Sequence, residues 1–204
     1  MNFTLHHHDL PATFKPGKIV AVDCEMMGLD PRRDRLCLVQ IKGEKGNAHL
    51  VKFDGKKYNA PRLKKILEDK NIQKIFHFGA KDLMFLSIYL DAWVVNYYDT
   101  KIASRLARSF SNEHGLDDLA SALLGVKISK QQQSTDWGAE TLTDAQLEYA
   151  AGDVLHLHAI KKKLDVMLKR EKRLELAELA FQNILNNAAL ELGGFDTGRL
   201  FLHH

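Results

Sequence analysis

Three apolar segments, 18–25, 36–41 and 48–53, follow one another with only short loops between them, broken by Gly28 and Pro31 and by the turn-forming residues 43–47. Strands so close in sequence pair with their neighbours, so this order predicts an antiparallel three-stranded meander. Beyond it the pattern changes. Pro61 opens a helical segment ending near residue 70, 72–76 reads as a strand, and 80–90 reads as a helix. A strand over 93–97 and helices over 101–108 and 116–124 follow. Such alternation predicts an α/β fold, a mixed sheet with helices packed on it.

The clearest helix starts at Thr143, which forms a capping box with Gln146 while Leu142 and Leu147 are placed for a hydrophobic staple. Apolar residues from Leu147 to Leu164 keep to one face, and the spacing predicts one continuous helix to residue 169. Leu174, Leu176, Ala177, Leu179, Ala180 and Ile184 give a last amphipathic helix over 174–185. No linker or repeat divides the chain. It reads as a single domain over 1–204, with a core of about 16–170 and C-terminal helices over 171–204. His6 to His8, and His203 with His204, resemble pieces of a purification tag and receive no function.

Composition narrows the function classes. Hydrophobic residues make up 45% and charged residues 27% of the chain, enough to bury a core. No apolar run could span a bilayer and no basic-then-apolar leader opens the chain, so the expected compartment is the cytoplasm, with no membrane partner. Cys24 and Cys37 are the two cysteines. They lie in strand-like segments and are expected to be small buried residues, not a disulfide framework. A net charge of +3 decides little, but seven Lys and Arg crowd 161–173. That stretch reads as a solvated helix face or as a phosphate-attracting one.

The chemistry rests on acids. Asp23 and Glu25 lie two apart where an apolar strand runs out, so both point to one face. Carboxylates leaving a buried strand are costly unless a metal or cation meets them. Asp82 comes early in a helix after the turn at Gly79, where the helix dipole alone would favour an acid. Tyr149 and Asp153 lie four apart on the strongest helix and share a face. If these groups converge, their oxygens suit two hard divalent ions, Mg2+ or Mn2+, about 3.5–4 Å apart, as in phosphodiester cleavage. Ten histidines are present, but no H-E-x-x-H motif and no Cys/His set at zinc spacing. A Gly-rich phosphate loop and G-x-S-x-G are missing too, which sets aside P-loop and serine-esterase chemistry.

Val22-Asp23-Cys24-Glu25, His77-Phe78-Gly79-Ala80-Lys81-Asp82 and Tyr149-Ala150-Ala151-Gly152-Asp153 resemble, in order and spacing, the three motifs of the DEDDy 3'-5' exonucleases of the RNase D family. With Tyr98-Asp99-Thr100-Lys101-Ile102-Ala103 and Asp136-Trp137, the likeness covers about 16–170. Lys81 stands where an aromatic residue is usual and Met26-Met27 where threonines are usual; neither removes a ligand. The short form looks most like the nanoRNase C subgroup, through Met26 to Pro31, Asp34 to Cys37, Thr100 to Leu106 and Ser129 to Ser134.

That resemblance implies an RNase H-like core and a 3'-5' exoribonuclease that cuts short RNA, dinucleotides above all, to nucleoside 5'-monophosphates. It further implies a ring-like homo-oligomer, an octamer. Asp23, Glu25, Asp82 and Asp153 would hold the two metal ions, and Tyr149 would orient or deprotonate the attacking water. A phenol near pKa 10 is a poor base, which favours orientation. Leu29 would wedge between the two terminal bases, and backbone and side chains around Glu25 to Met26 would meet the 3' ribose hydroxyl, with Gly28 a further substrate-binding candidate. Lys130, Gln133 and Arg105, beside Trp137, are candidates to cap a 5'-phosphate, the alternative being a surface loop with Trp137 in the core. His77 is either a substrate contact or a packing residue. Two rivals stand: a general RNase D-like exonuclease on longer RNA or single-stranded DNA, tracked by the basic stretch, and an inactive nucleic-acid binder, whose signature would be a lost acid.

Overall fold

A computed structural model describes residues 2–129, 131, 132 and 135–202. Its six-stranded sheet contains β1 (Phe3–His7), β2 (Ile19–Met26), β3 (Leu36–Lys42), β4 (Ala48–Lys52), β5 (Gln73–Phe76) and β6 (Tyr97–Asp99), in the order β1-β4-β3-β2-β5-β6. The expected meander is present, since β2 pairs antiparallel with β3 and β3 with β4. β5 joins β2 in parallel and β6 joins β5 in parallel, which makes the sheet mixed. Helices pack on the sheet, so Val20, Ala21 and Val22 of β2 are fully buried. Cys24 and Cys37 are buried and free.

The helices are α1 (Pro61–Glu68), α2 (Ala80–Leu90), α3 (Thr100–Ala107), α4 (Leu116–Leu124), α5 (Asp144–Leu155), α6 (Leu157–Arg170), α7 (Leu174–Leu192) and α8 (Thr197–Leu200). Thr143 and Gln146 cap α5 as expected. The predicted continuous helix does not form. It breaks at His156, at φ −102° and ψ −9°, between α5 and α6. The break lets α5 lie over β2, β3 and β4 while α6 packs on α3 and α4. One straight rod cannot do both.

Three further expectations are corrected. The strand placed at 93–97 is instead β6, because Asn96 takes φ +52° and pairing with β5 begins only at Tyr97. Ala92 and Val94 are buried beside exposed Trp93, an alternation that imitates a strand without a partner. The tag-like histidines include His6 and His7 of β1, an edge strand parallel to β4, where His6 stacks on His49. On α7, Leu176 and Leu179 are exposed, whereas Ala177, Phe181 and Ala188 form the buried face. Among the described residues no helix is long and apolar enough to cross a membrane.

Candidate active site

Where β2 leaves the sheet, its register with β3 shifts between Glu25 and Met26, so the chain turns away and the strand end opens. Asp23 and Glu25 stand on one face there. α5 crosses this end and delivers Asp153, and one carboxylate oxygen from each of the three acids lies within 4.8 Å of the others. Tyr149, one turn earlier, bonds to the Asp153 carboxylate. Asp82 is buried in the first turn of α2, outside this tight trio, and shares a hydrogen bond with Cys24. Gln40, fully buried on β3 opposite Asp23, donates its amide to Glu25 Oε1 at 3.4 Å.

Burial dominates the electrostatics. It raises the Asp23 carboxyl well above the usual range, and the charges of Asp82, Asp153 and Glu25 add to it. Glu25 is pushed up to about 9 by burial and then by Asp153 and Asp82, against the Gln40 hydrogen bond. Burial likewise brings Asp82 and Asp153 to about 7. No cation is among the groups that shift these four acids. Clustered carboxylates without a counter-charge, offering only oxygen, fit hard divalent ions, which would return each of them to its ionised form. Tyr149 is raised further above its ordinary value by burial and by Asp153, so its phenol stays protonated.

Asp23, Glu25 and Asp153 line a cavity of about 900 Å³, with Met26, Gly28, Leu29, His77, Trp137 and Tyr149 around them. Leu29 is 70% exposed. Trp137 is buried, its ring centre 6.1 Å from that of Tyr149, and its indole N–H has no partner among the described residues. His77 Nδ1 lies 2.9 Å from the Thr100 hydroxyl, which itself donates to the Phe76 carbonyl. Thr100 has one proton, so His77 Nδ1 donates and Nε2 is left as an acceptor. Burial holds that imidazole down to about 4, neutral at physiological pH.

Arg105 is exposed and not part of the cavity wall; its guanidinium lies 5.9 Å from the Phe78 ring centre. Lys130 and Gln133 lie outside the described residues. Phe78 and Lys101 also line the cavity, although sequence reasoning gave them no role. The signal for Phe78 was present, a bulky residue inside the His77-Phe78-Gly79 turn.

The 3'-5' exonuclease family model matches residues 8–169. The chain superposes on Brucella melitensis NrnC bound to pGG with a TM-score of 0.94 and 42% identity, covering 100% of each chain. The Brucella melitensis NrnC structure with bound Mg2+ gives a TM-score of 0.93 and 41% identity, again over 100% of both. The ribonuclease D of Gluconacetobacter diazotrophicus is 31% identical over 156 residues, 76% of this chain and 39% of that protein. The chain thus spans about two fifths of the length of the curated ribonuclease D relatives it matches. With Asp23, Glu25 and Asp153 lining one cavity and Asp82 bonded to Cys24 between the first two, the chain belongs to the 3'-5' exonuclease family, as an RNase D-like DEDD nuclease similar over its whole length to NrnC.

Proposed function

We propose that this chain is a metal-dependent 3'-5' exoribonuclease acting on short oligoribonucleotides, dinucleotides above all, and releasing nucleoside 5'-monophosphates. The observation that carries the reading is the oxygen-only cluster of Asp23, Glu25 and Asp153 on the floor of a cavity of about 900 Å³. That volume is near the top of the range for small-ligand sites and suits a dinucleotide better than a helical RNA. The full-length likeness to a protein whose structure holds pGG points the same way.

Asp23, Glu25, Asp82 and Asp153 would hold two divalent ions, Mg2+ or Mn2+; when bound, such ions activate water and stabilise the attacking and leaving oxygens. Tyr149, protonated throughout, donates its one proton to the Asp153 carboxylate, so its phenol oxygen accepts from and orients the incoming water and is not the base. Gln40 fixes the Glu25 carboxylate from the neighbouring strand. Leu29, exposed at the cavity edge, separates the two bases, with Met26 and Gly28 beside the 3' ribose. His77 offers an acceptor to a ribose hydroxyl. Trp137 buttresses Tyr149 and has a spare N–H. Lys130, Gln133 and Arg105 would cap the 5'-phosphate, Arg105 from beyond the cavity wall. The site works in one domain over 1–204, in a ring-like homo-oligomer in the cytoplasm.

The test is turnover of 5'-labelled RNAs of two, three, seven and twenty nucleotides with Mg2+, with Mn2+ and with chelator. Rapid metal-dependent loss of the dinucleotide with slow trimming of longer RNA is the expected result. Equal or faster trimming of the longest RNA would move the assignment to a general RNase D-like exonuclease. For the cap, Lys130→Ala and Gln133→Ala should weaken the preference for the dinucleotide.

A further inference from the structure

Phe78 combines features that the acid cluster does not explain. Its backbone takes φ +60°, a left-handed conformation that is costly for a bulky side chain. The residue is 52% exposed although Phe76 and Gly79 on either side of the turn are buried. The ring lines the same cavity as Asp23, Glu25 and Asp153. The Lys101 ammonium lies 4.1 Å from the ring centre, within cation–π range.

The turn does not adopt this shape on its own account. Asp99 is fully buried, and its two carboxylate oxygens accept the N–H groups of Phe78 and Gly79, each at 3.1 Å. The same carboxylate accepts from Lys101 N and Ile102 N, capping α3, and from the Tyr97 hydroxyl. Gly79 completes the turn, since a Cβ there would lie 2.6 Å from Phe76 Cβ. A buried carboxyl group thus staples the strained turn and holds the aromatic ring outward, over the cavity. Folding gains nothing from a large apolar ring left in water at a strained position.

Resting on the exoribonuclease reading above, we propose that Phe78 is the stacking platform for one base of the substrate, with Lys101 over one face of the ring and the base on the other. Every base has a π-face, so such a platform demands a base without choosing which one. It therefore makes turnover depend on the nucleobase and not on the phosphodiester alone. Lys101 and Arg105 add positive charge beside the stacked nucleotide.

The experiment compares an intact dinucleotide with two analogues, each lacking one of the two bases, on the wild-type protein, Phe78→Ala and Phe78→Trp, with thermal midpoints as a check on folding. On the wild type, both base removals should lower kcat/KM, the one at the platform by about 5- to 150-fold. Phe78→Ala should erase one of these penalties and leave the other, and Phe78→Trp should restore the erased one. If both penalties survive in Phe78→Ala, or if that variant loses the same factor on all three substrates, the platform is wrong while the exoribonuclease reading stands. If the wild type turns over no dinucleotide, the reading beneath it fails first.

Discussion

α5 and α6 follow each other across one bent residue, yet their charges behave in opposite ways. Asp153 of α5 is held in a half-buried, desolvated cluster of like charges with no cation among the groups that shift it. On α6, Lys161 bonds to Asp165 at 2.5 Å, Arg170 reaches Glu171 at 2.9 Å just past the helix end, and Lys162 and Lys163 are exposed. Arg173, at the far end of the basic stretch, donates to the Leu106 carbonyl at 2.6 Å. The basic stretch has more charges, but water and neighbours have already satisfied them. Unsatisfied charge under desolvation, and not charge count, is what makes α5 the candidate for the functional helix.

The contrast breaks first at the acids. Asp153→Asn should lower kcat by about 10³-fold or more while leaving the thermal midpoint of the metal-free protein level or higher, because it removes one member of a repelling cluster. Kinetics and thermal melts on the same variant check both halves; a large loss of stability would mean that the cluster is structural. Tyr149→Phe comes next. It keeps the ring against Trp137 and removes the hydroxyl, so kcat should fall by about 10- to 100-fold with KM nearly unchanged.

The metal-free protein provides a pH test. Glu25 titrates at about 9 and Asp82 and Asp153 at about 7, against about 4 in the unfolded chain. Between these values the folded state binds more protons than the unfolded state, so stability falls as pH rises. Melts in chelator should show the midpoint dropping from pH 5 to pH 9, and Mg2+ should raise it most at the alkaline end. A flat profile would mean that the acids are solvated. The smallest effect belongs to α6: Lys162→Ala with Lys163→Ala should change dinucleotide turnover by less than about 2-fold. A steep loss with a reduced salt slope would make that face a nucleic-acid track.

The sequence carried the acids because strand alternation and helix spacing are local rules, and Asp23, Glu25 and Asp153 obey them. The break at His156 was hidden, since Val154, Leu155, His158 and Leu164 continue an apolar helical face through it; only the different packing partners of α5 and α6 bend the chain. β1 was hidden by three histidines that look like tag and not strand, and His49 on β4 is what gives His6 a partner. The pose of Phe78 could not be read either, because the group that sets it, Asp99, lies 21 residues further on. What the sequence left illegible is set by contacts distant along the chain.

The most direct measurement is the rate of nucleoside 5'-monophosphate release from a dinucleotide by three proteins side by side in Mg2+: the wild type, Asp153→Asn, and Lys162→Ala with Lys163→Ala. Fast release by the wild type, nearly the same rate from the α6 variant, and almost none from Asp153→Asn or from any sample in chelator are expected. Release that survives Asp153→Asn, or that collapses on loss of the α6 lysines, would contradict the contrast between α5 and α6.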